Sequence, residues 1–193
     1  MAKVSVENLI IAARSGNLVS FPTDTVPALA TIPQSAELIF QAKQRSQDKP
    51  LILMVSEASE MWQYTSGTRS EIEIWRMVVD RYLPGALTLV LPASNQVLAV
   101  MNPRQDRTIG IRVPADDTAR SILAQTGALA TTSANRSTEP ALLTMAEIQT
   151  NFPQVYTLKV EIDRPSQGKP STVIQWVDDR WKLLRQGSVV FNF

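Results

Sequence analysis

The sequence predicts an α/β fold, because short apolar runs typical of strands alternate with amphipathic helical segments along the chain. The run from Leu87 to Leu91 is continuous enough in apolar character to be a strand buried on both faces. At 193 residues and 44% hydrophobic content, the chain can bury one sizeable core. No repeat, low-complexity tract or linker divides it, so we expect residues 1–193 to form a single domain.

Helices are predicted where apolar residues recur at helical spacing, in most cases behind a residue that can cap the first turn. The first helix is expected from Val4 to Ala13, with Gly16 as its stop. Ser35 is the expected N-cap of the second helix, which ends at about Lys43. The later helices are expected in a region that starts at Ser56 and is interrupted near residues 65–67, from about Glu71 to Tyr82, from an Asp116 cap to about Gln125, and after Thr144, which has capping-box spacing to Glu147.

Strands are predicted at the short apolar runs that turn residues bound. Residues 22–34 are rich in Pro and Thr and residues 92–107 are polar, so both stretches are expected to be turns or loops. The predicted strands are Leu18–Phe21, Leu51–Val55, Leu87–Leu91, Thr108–Val113, Ala128–Thr131, 155–162, 172–177 and Trp181–Leu184.

The charge balance and the missing residue types narrow the chemistry. Lys plus Arg number 19 and Asp plus Glu 18, and this net charge of +1 argues against tight, charge-driven binding of nucleic acid or membrane. The sequence has no Cys and no His, which excludes a thiolate nucleophile, a Cys-based metal site and a His general base. Catalysis would have to use Lys, Arg, hydroxyls, amides, carboxylates, backbone N–H groups or a metal that arrives with the ligand.

The N-terminus does not have the basic-then-apolar pattern of a signal peptide. No apolar run approaches the roughly 20 residues that span a bilayer. We therefore expect a cytoplasmic protein with no membrane partner.

Two separated segments predict a site for an anionic ligand. Lys43 and Arg45 point to nearly opposite sides of an ideal helix, so they can converge only if the helix ends there, as Pro50 and the polar residues before it indicate. Ser133 and Asn135 follow an apolar strand and offer a hydroxyl and an amide. The alternatives are cations that stabilise a helix C-terminus and an ordinary polar turn.

Further candidates lie at the ends of other predicted strands. The turn after Phe21 carries Thr and Asp side chains that could bind a ligand or satisfy local backbone groups. Thr108 and Arg112 share a strand face, and a buried Arg112 would need a partner that is either internal or a substrate carboxylate. No Walker-type loop or dinucleotide fingerprint is present.

Taken together, the motifs resemble those of the YrdC/TsaC family, in order and rough spacing, over about residues 5 to 188. The joint match is specific, whereas one string alone would not be. The strings are Phe21-Pro-Thr-Asp-Thr-Val, Ala42-Lys-Gln-Arg45, Lys49-Pro-Leu, Leu83-Pro-Gly-Ala-Leu-Thr-Leu-Val, Thr108-Ile-Gly-Ile-Arg-Val-Pro, Thr132-Ser-Ala-Asn, Pro170-Ser-Thr-Val and Leu184-Arg-Gln-Gly187.

The resemblance implies an open, twisted mixed sheet with flanking helices around a large concave cavity. It also implies a threonylcarbamoyl-AMP synthase of the single-domain bacterial form, a nucleotidyltransferase that combines L-threonine, bicarbonate or CO2, and ATP, and releases pyrophosphate. Mg2+ would arrive bound to the triphosphate. A separate threonylcarbamoyl transferase complex would then modify the adenosine beside the anticodon of tRNA.

Site residues follow from the same resemblance, position by position. The family's K-x-R and S-x-N elements, which hold the nucleotide phosphates, match Lys43, Arg45, Ser133 and Asn135. Further ATP contacts align with Lys49, Thr108, Ala141 and Arg185. Positions around threonine align with Thr25, Arg112, Thr131 and Ser171, where Arg112 would pair with the substrate carboxylate.

The sequence departs from the family pattern at several positions. Pro27 and Ala28 replace an aromatic residue and Gly, and Met54 replaces a His of some relatives. Because Pro fixes φ and has no N–H, we expect a reshaped threonine end of the pocket.

Two other functions are compatible with the resemblance. One is a module of the same fold that binds double-stranded RNA or tRNA, against which the near-neutral charge counts. The other is a YciO-like paralogue without synthase activity, against which the retention of Lys43 and Arg45 counts.

Overall fold

The computed structural model describes residues 3–44, 46, 49–102, 107–136, 139–163 and 165–192. Within these ranges the chain forms one sheet of ten strands with five α-helices. The strands are β1 Lys3–Val4, β2 Val19–Phe21, β3 Ala28–Thr31, β4 Ile52–Met54, β5 Leu87–Pro92, β6 Thr108–Arg112, β7 Leu129–Ser133, β8 Tyr156–Leu158, β9 Thr172–Val177 and β10 Arg180–Arg185. The α-helices are α1 Val6–Arg14, α2 Glu37–Lys43, α3 Arg69–Tyr82, α4 Asp117–Thr126 and α5 Met145–Asn151, and short 3-10 helices span Pro33–Ser35, Ala58–Tyr64 and Ala99–Met101.

The sheet is open and mixed, as predicted. Its strand order is β1-β8-β2-β3-β7-β4-β6-β5-β9-β10. The pairs β1–β8, β8–β2, β4–β6 and β5–β9 are parallel, and the other neighbours are antiparallel. The α/β class is therefore confirmed. No helix within the described ranges combines the length and apolar character needed to cross a bilayer.

Polar caps fix the beginnings of most helices. The Asp116 side chain accepts a hydrogen bond from the Ala119 N–H at 2.8 Å and caps α4, as predicted. The predicted capping box of Thr144 and Glu147 begins α5. A second capping box, of Thr68 and Glu71, begins α3 at Arg69, two residues before the start that the apolar spacing indicates.

Three predicted boundaries are wrong for identifiable reasons. Ser35 is not an N-cap, because it lies inside the 3-10 helix that precedes α2, and Ala36 takes the cap position without a side-chain hydrogen bond. Val4 belongs to β1, where it pairs with Leu158, so α1 begins only after the Ser5 cap. The strand predicted at 155–162 ends at Leu158.

One strand lies inside a stretch predicted as turns. Strand β3 has small residues and follows Pro27, so it shows no strong strand signal. It forms because β2 and β7 flank it on both sides, and its four residues are buried. A local pattern could not reveal this long-range pairing.

The two faces of the sheet are covered unequally. On one face, helices α2, α3 and α5 pack on alternate strand residues, with Trp75 and Phe40 among the buried side chains. On the other face, α1 and α4 pack over β2, β3 and the near side of β7 and β4, where Val19 and Leu129 are buried. Beyond these two helices, the same face opens as a cleft over β4, β6, β5 and β9.

Candidate active site

The cleft contains two adjoining cavities of about 150 and 360 Å³, which share Pro50, Ile52 and Arg185. We call them the first and the second cavity. The first lies between the beginning of β3 and the ends of β6 and β10. Six of the predicted site residues line the first cavity: Thr25, Arg112, Thr131, Ser133, Ser171 and Arg185. Thr108 and Arg185 line the second.

Arg112 is a buried cation of the cleft, and it has an internal partner. Its side chain donates to Asp24 Oδ1 at 2.6 Å, to Thr25 Oγ1 at 2.7 Å and to the Gly85 carbonyl at 3.1 Å. Burial lowers the pKa of Arg112, the Asp24 carboxylate opposes this change, and the charge of Arg185 adds to the lowering. The question left open by the sequence, whether a buried Arg112 finds an internal partner, is answered by Asp24. One N–H on each terminal nitrogen remains for a ligand.

Two threonine side chains in the turn after β2 form a hydrogen-bonded group that contacts the guanidinium of Arg112. The Thr23 hydroxyl donates to the Val26 carbonyl at 2.8 Å and accepts from the Thr25 N–H at 3.2 Å. The Thr23 and Thr25 hydroxyl oxygens lie 3.2 Å apart. The Thr23 hydroxyl is thus hydrogen-bonded within the turn after β2, and the same turn lines the cleft through Thr25 and Val26.

Arg185 and Ser171 form the opposite side of the first cavity. Arg185 donates to the Ser171 carbonyl at 2.9 Å and to its hydroxyl at 3.3 Å, and the Ser171 hydroxyl lies 2.9 Å from Thr88 Oγ1. Burial lowers the pKa of Arg185. Gly187 allows this arrangement, because a Cβ at that position would come within 3.0 Å of the backbone of Pro170 and Ser171.

Lys43 connects the two segments that the sequence singled out. Helix α2 ends at Lys43, and Gln44 follows in the left-handed conformation with φ 49°. The buried Lys43 ammonium donates to the Ser133 carbonyl and, at 3.0 Å, to Asn135 Oδ1. The Ser133 hydroxyl donates to the same Asn135 oxygen at 2.6 Å. Lys43, Ser133 and Asn135 are therefore brought together as the sequence predicted.

Two other predicted positions, Lys49 and Ala141, line neither cavity. Lys49 is exposed and immediately precedes Pro50, which lines both cavities. Ala141 is half-buried and precedes Leu142, whose N–H donates to the Ala134 carbonyl at 2.9 Å. Arg45 lies outside the described residues.

Sequence patterns missed Asp24 as the counter-ion of Arg112. The two residues are 88 positions apart, and no local periodicity connects them. The only available signal was the carboxylate beside Thr25 in the turn. The structure also places Val26, Pro27, Ala28 and Met54 in the lining of the first cavity, so all three residues named above as departures from the family pattern line the cleft.

The arrangement is suited to a small anionic ligand. Two guanidinium groups lie at the cavity, and one carboxylate, Asp24, contacts Arg112. Among the residues that the structure describes, no group of three or more acidic side chains is placed to hold a metal ion. Two wider surface grooves have volumes of about 840 and 1000 Å³. Of the predicted site residues that the structure describes, only Thr108 lines either groove.

Comparison with known proteins agrees with the motifs. A sequence profile of the Sua5_yciO_yrdC family, which carries the description "Telomere recombination", matches residues 12–187. Threonylcarbamoyl-AMP synthase of Pyrococcus abyssi is 32% identical over 180 residues, which cover 91% of this chain and 52% of that protein. The crystal structure of P. abyssi Sua5 complexed with L-threonine has a TM-score of 0.83 at 30% identity, covering 96% of this chain and 56% of that chain.

Escherichia coli YciO has the same fold, with a TM-score of 0.80 at 23% identity, and the match covers 94% of this chain and 88% of that chain. The chain spans about half the length of several relatives that it matches, among them the synthases of P. abyssi, Bacillus subtilis and Mus musculus. The profile match across most of the sequence and the shared open sheet together show that the chain belongs to the Sua5/YciO/YrdC family.

Proposed function

We propose that the chain is a threonylcarbamoyl-AMP synthase that uses L-threonine, bicarbonate or CO2, and ATP. The observation that carries the proposal is the convergence of Thr25, Arg112, Thr131 and Ser171 in one cavity. Thr25 and Arg112 are 87 positions apart in sequence, yet all four residues line one cavity together with Ser133 and Arg185. The name of the P. abyssi relative and its complex with L-threonine support the same substrate.

The proposed reaction has two steps. The neutral amino nitrogen of threonine attacks the carbon of CO2, an N–C bond forms, one C=O electron pair moves to oxygen, and a proton leaves the nitrogen. An oxygen of the resulting carbamate then attacks the α-phosphorus of ATP, and the bond to pyrophosphate breaks. Neither step needs a side-chain nucleophile, so a chain without His or Cys can catalyse them by alignment and charge stabilisation.

The residues of the cleft take distinct roles in this proposal. The unused N–H groups of Arg112 bind the threonine carboxylate, with Thr25, Thr131 and Ser171 around the amino acid. Arg45, Lys49, Thr108, Ala141 and Arg185 contact ATP, whose Mg2+ arrives with the triphosphate. Lys43 orients Ser133 and Asn135 toward the phosphates through its two hydrogen bonds. The product would pass to a separate transferase complex that modifies tRNA.

Pyrophosphate release tests the proposal. The purified chain is expected to release pyrophosphate only when threonine, bicarbonate and ATP are all present. Ser133→Ala and Lys43→Met are expected to lower kcat/KM by at least about tenfold, the loss of one hydrogen bond to a charged group. Lys159→Met is the matched control, because Lys159 is exposed beside β8, away from the cleft.

Two outcomes would reject the proposal. One is no threonine-dependent release under conditions in which a synthase relative is active. The other is equal activity of Ser133→Ala, Lys43→Met and Lys159→Met. Binding of double-stranded RNA that weakens steeply with salt, without threonine-dependent turnover, would favour the RNA-binding alternative.

A further inference from the structure

The first cavity is lined by charged groups, hydroxyls and apolar side chains. Arg112, Ser171 and Arg185 come from β6 and from the ends of β9 and β10. Apolar side chains come from the beginning of β3 and from β4, on either side of β7, which contributes the Thr131 and Ser133 side of the lining. Four of these apolar residues, Val26, Pro27, Ala28 and Met54, are called the apolar wall.

Several backbone groups of the apolar wall already have hydrogen-bond partners. Pro27 has no N–H, and its carbonyl accepts from the Ala134 N–H at 3.2 Å. Ala28 is paired with Ser133 in the antiparallel ladder of β3 and β7. Met54 is paired with Arg112 in the parallel ladder of β4 and β6, and its thioether is only a weak acceptor.

The hydroxyls of Thr25, Thr131 and Ser133, which line the cavity beside the apolar wall, and that of Thr23 already donate their protons. Because Thr23 gives its proton to the Val26 carbonyl, Thr25 must be the donor in their contact at 3.2 Å. The Thr131 hydroxyl donates to the Ile52 carbonyl at 3.0 Å. The Ser133 hydroxyl donates to Asn135. Each hydroxyl therefore has a hydrogen bond before any ligand binds.

This matters for substrate choice, because a site rejects an isostere mainly when binding leaves its own buried polar groups unpaired. A methyl group in place of the threonine hydroxyl would leave none of these four hydroxyls without a partner. An apolar wall also gains contact from each methyl group of the substrate.

We propose that the amino-acid site of this chain selects a small β-branched side chain by apolar contact and not by its hydroxyl, so that valine is used alongside threonine. This inference rests on the proposed synthase activity. The first cavity, at about 150 Å³, is the smaller of the two cavities of the cleft, which favours a small side chain.

Valine and serine separate the two modes of recognition. Valine keeps the β-branch and lacks the hydroxyl, whereas serine keeps the hydroxyl and lacks the methyl group. We expect kcat/KM for pyrophosphate release with valine to lie within about 100-fold of that with threonine and above that with serine. Mass spectrometry would identify the valylcarbamoyl adenylate.

A serine kcat/KM above that of valine would overturn the inference and leave the synthase proposal intact. If threonine itself gives no pyrophosphate, the proposed function fails and the inference fails with it. These measurements use the unaltered protein, so they do not depend on the folding of a variant.

A pair of variants tests the wall directly. Met54→Gln adds a hydrogen-bonding amide of similar size, and Met54→Leu keeps the wall apolar. The serine-to-valine ratio of kcat/KM is expected to rise at least about tenfold in Met54→Gln over Met54→Leu. Equal ratios in the two folded variants would show that the wall does not contact the substrate side chain.

Discussion

Arg112 needs the carboxylate of Asp24 because it is buried. At 4% exposure, a guanidinium without a counter-ion would carry a large desolvation cost. Asp24 removes part of that cost, and the hydrogen bonds to Thr25 and Gly85 fix the orientation of the fork. The ion pair therefore aims Arg112 at the cavity.

Asp24→Asn tests this positioning role. The amide keeps an acceptor but removes the charge, so we expect the free energy of unfolding to fall by about 1–3 kcal/mol. We also expect the KM for threonine to rise at least tenfold while kcat changes less, since a misaligned Arg112 would weaken amino-acid binding. Steady-state kinetics and urea denaturation measure the two effects.

The control for this variant is Asp80→Asn, because Asp80 is exposed on α3. Similar KM values for the two variants would contradict the positioning role of Asp24.

At the scale of single residues, motif matching indicated which residues line one cavity better than it indicated the contacts between them. Motif matching named Thr25, Arg112 and Ser133, and all three line one cavity. It could not supply the pairing of Arg112 with Asp24 or of Lys43 with Asn135, because those contacts depend on strands that are distant in sequence.

At the scale of elements, α3 is fixed to the sheet through its capping box. Glu71 accepts from the Thr68 N–H at 2.8 Å and from the Trp176 indole at 3.0 Å, so one carboxylate joins the start of α3 to β9. The hydrogen bond to the Thr68 backbone is the main cause of the lowered pKa of Glu71.

The lowered pKa of Glu71 gives a pH dependence of stability. A carboxyl group whose pKa is lower in the folded state stabilises the fold above its unfolded pKa, about 4.3, and this contribution is lost as the pH falls through the folded value. Glu71→Gln is therefore expected to be less stable than the wild type at pH 7, with a difference that shrinks in the acid range.

Thermal unfolding across this pH range measures the difference. Glu73→Gln on the same helix is the control, because Glu73 contacts only the exposed Arg69 among the described residues. A stability difference for Glu71→Gln that is as large at pH 3 as at pH 7 would contradict the role of the carboxylate.

Gly187 holds the segment after β10 against the segment before β9. Gly187→Ala would place a methyl group against the backbone of Pro170 and Ser171, which cannot give way as a flexible side chain would. We expect the free energy of unfolding to fall by about 1–3 kcal/mol. We also expect weaker substrate binding, because Ser171 and Arg185 lie next to this contact.

Gly110→Ala is the matched control for stability. A Cβ at Gly110 would make ordinary contacts of 3.5 Å and longer with Ile52, Thr88 and Val90. Chemical denaturation should therefore show a much smaller change for Gly110→Ala than for Gly187→Ala, and the reverse order would contradict the close approach at Gly187.

The elements with the strongest local signals were predicted and the others were not. Helix α4 with its Asp116 cap and the continuous apolar strand β5 follow from capping and hydrophobicity. Strands β1 and β3 are short and gain their structure from neighbours that lie far away in sequence. The predicted N-cap at Ser35 is wrong because Ser35 belongs to the 3-10 helix that precedes α2.

For the molecule as a whole, the cleft is a consequence of unequal helix cover. The sheet has ten strands within the described residues, so its faces are wide. Helices α1 and α4 pack on only one end of one face, and the cleft lies on the remaining part of that face. Composition and periodicity predict the α/β class, but they do not give the strand order. The family resemblance supplied the concave cavity, which the sequence patterns alone could not locate.

The central claim is that this cleft joins an amino acid, a one-carbon unit and AMP. Mass spectrometry of the reaction product, formed with threonine, ATP and isotopically labelled bicarbonate, tests it most directly. The account predicts a threonylcarbamoyl adenylate that carries the labelled carbon, released together with pyrophosphate. An adenylate that lacks the label, or ADP as the only nucleotide product, would contradict it.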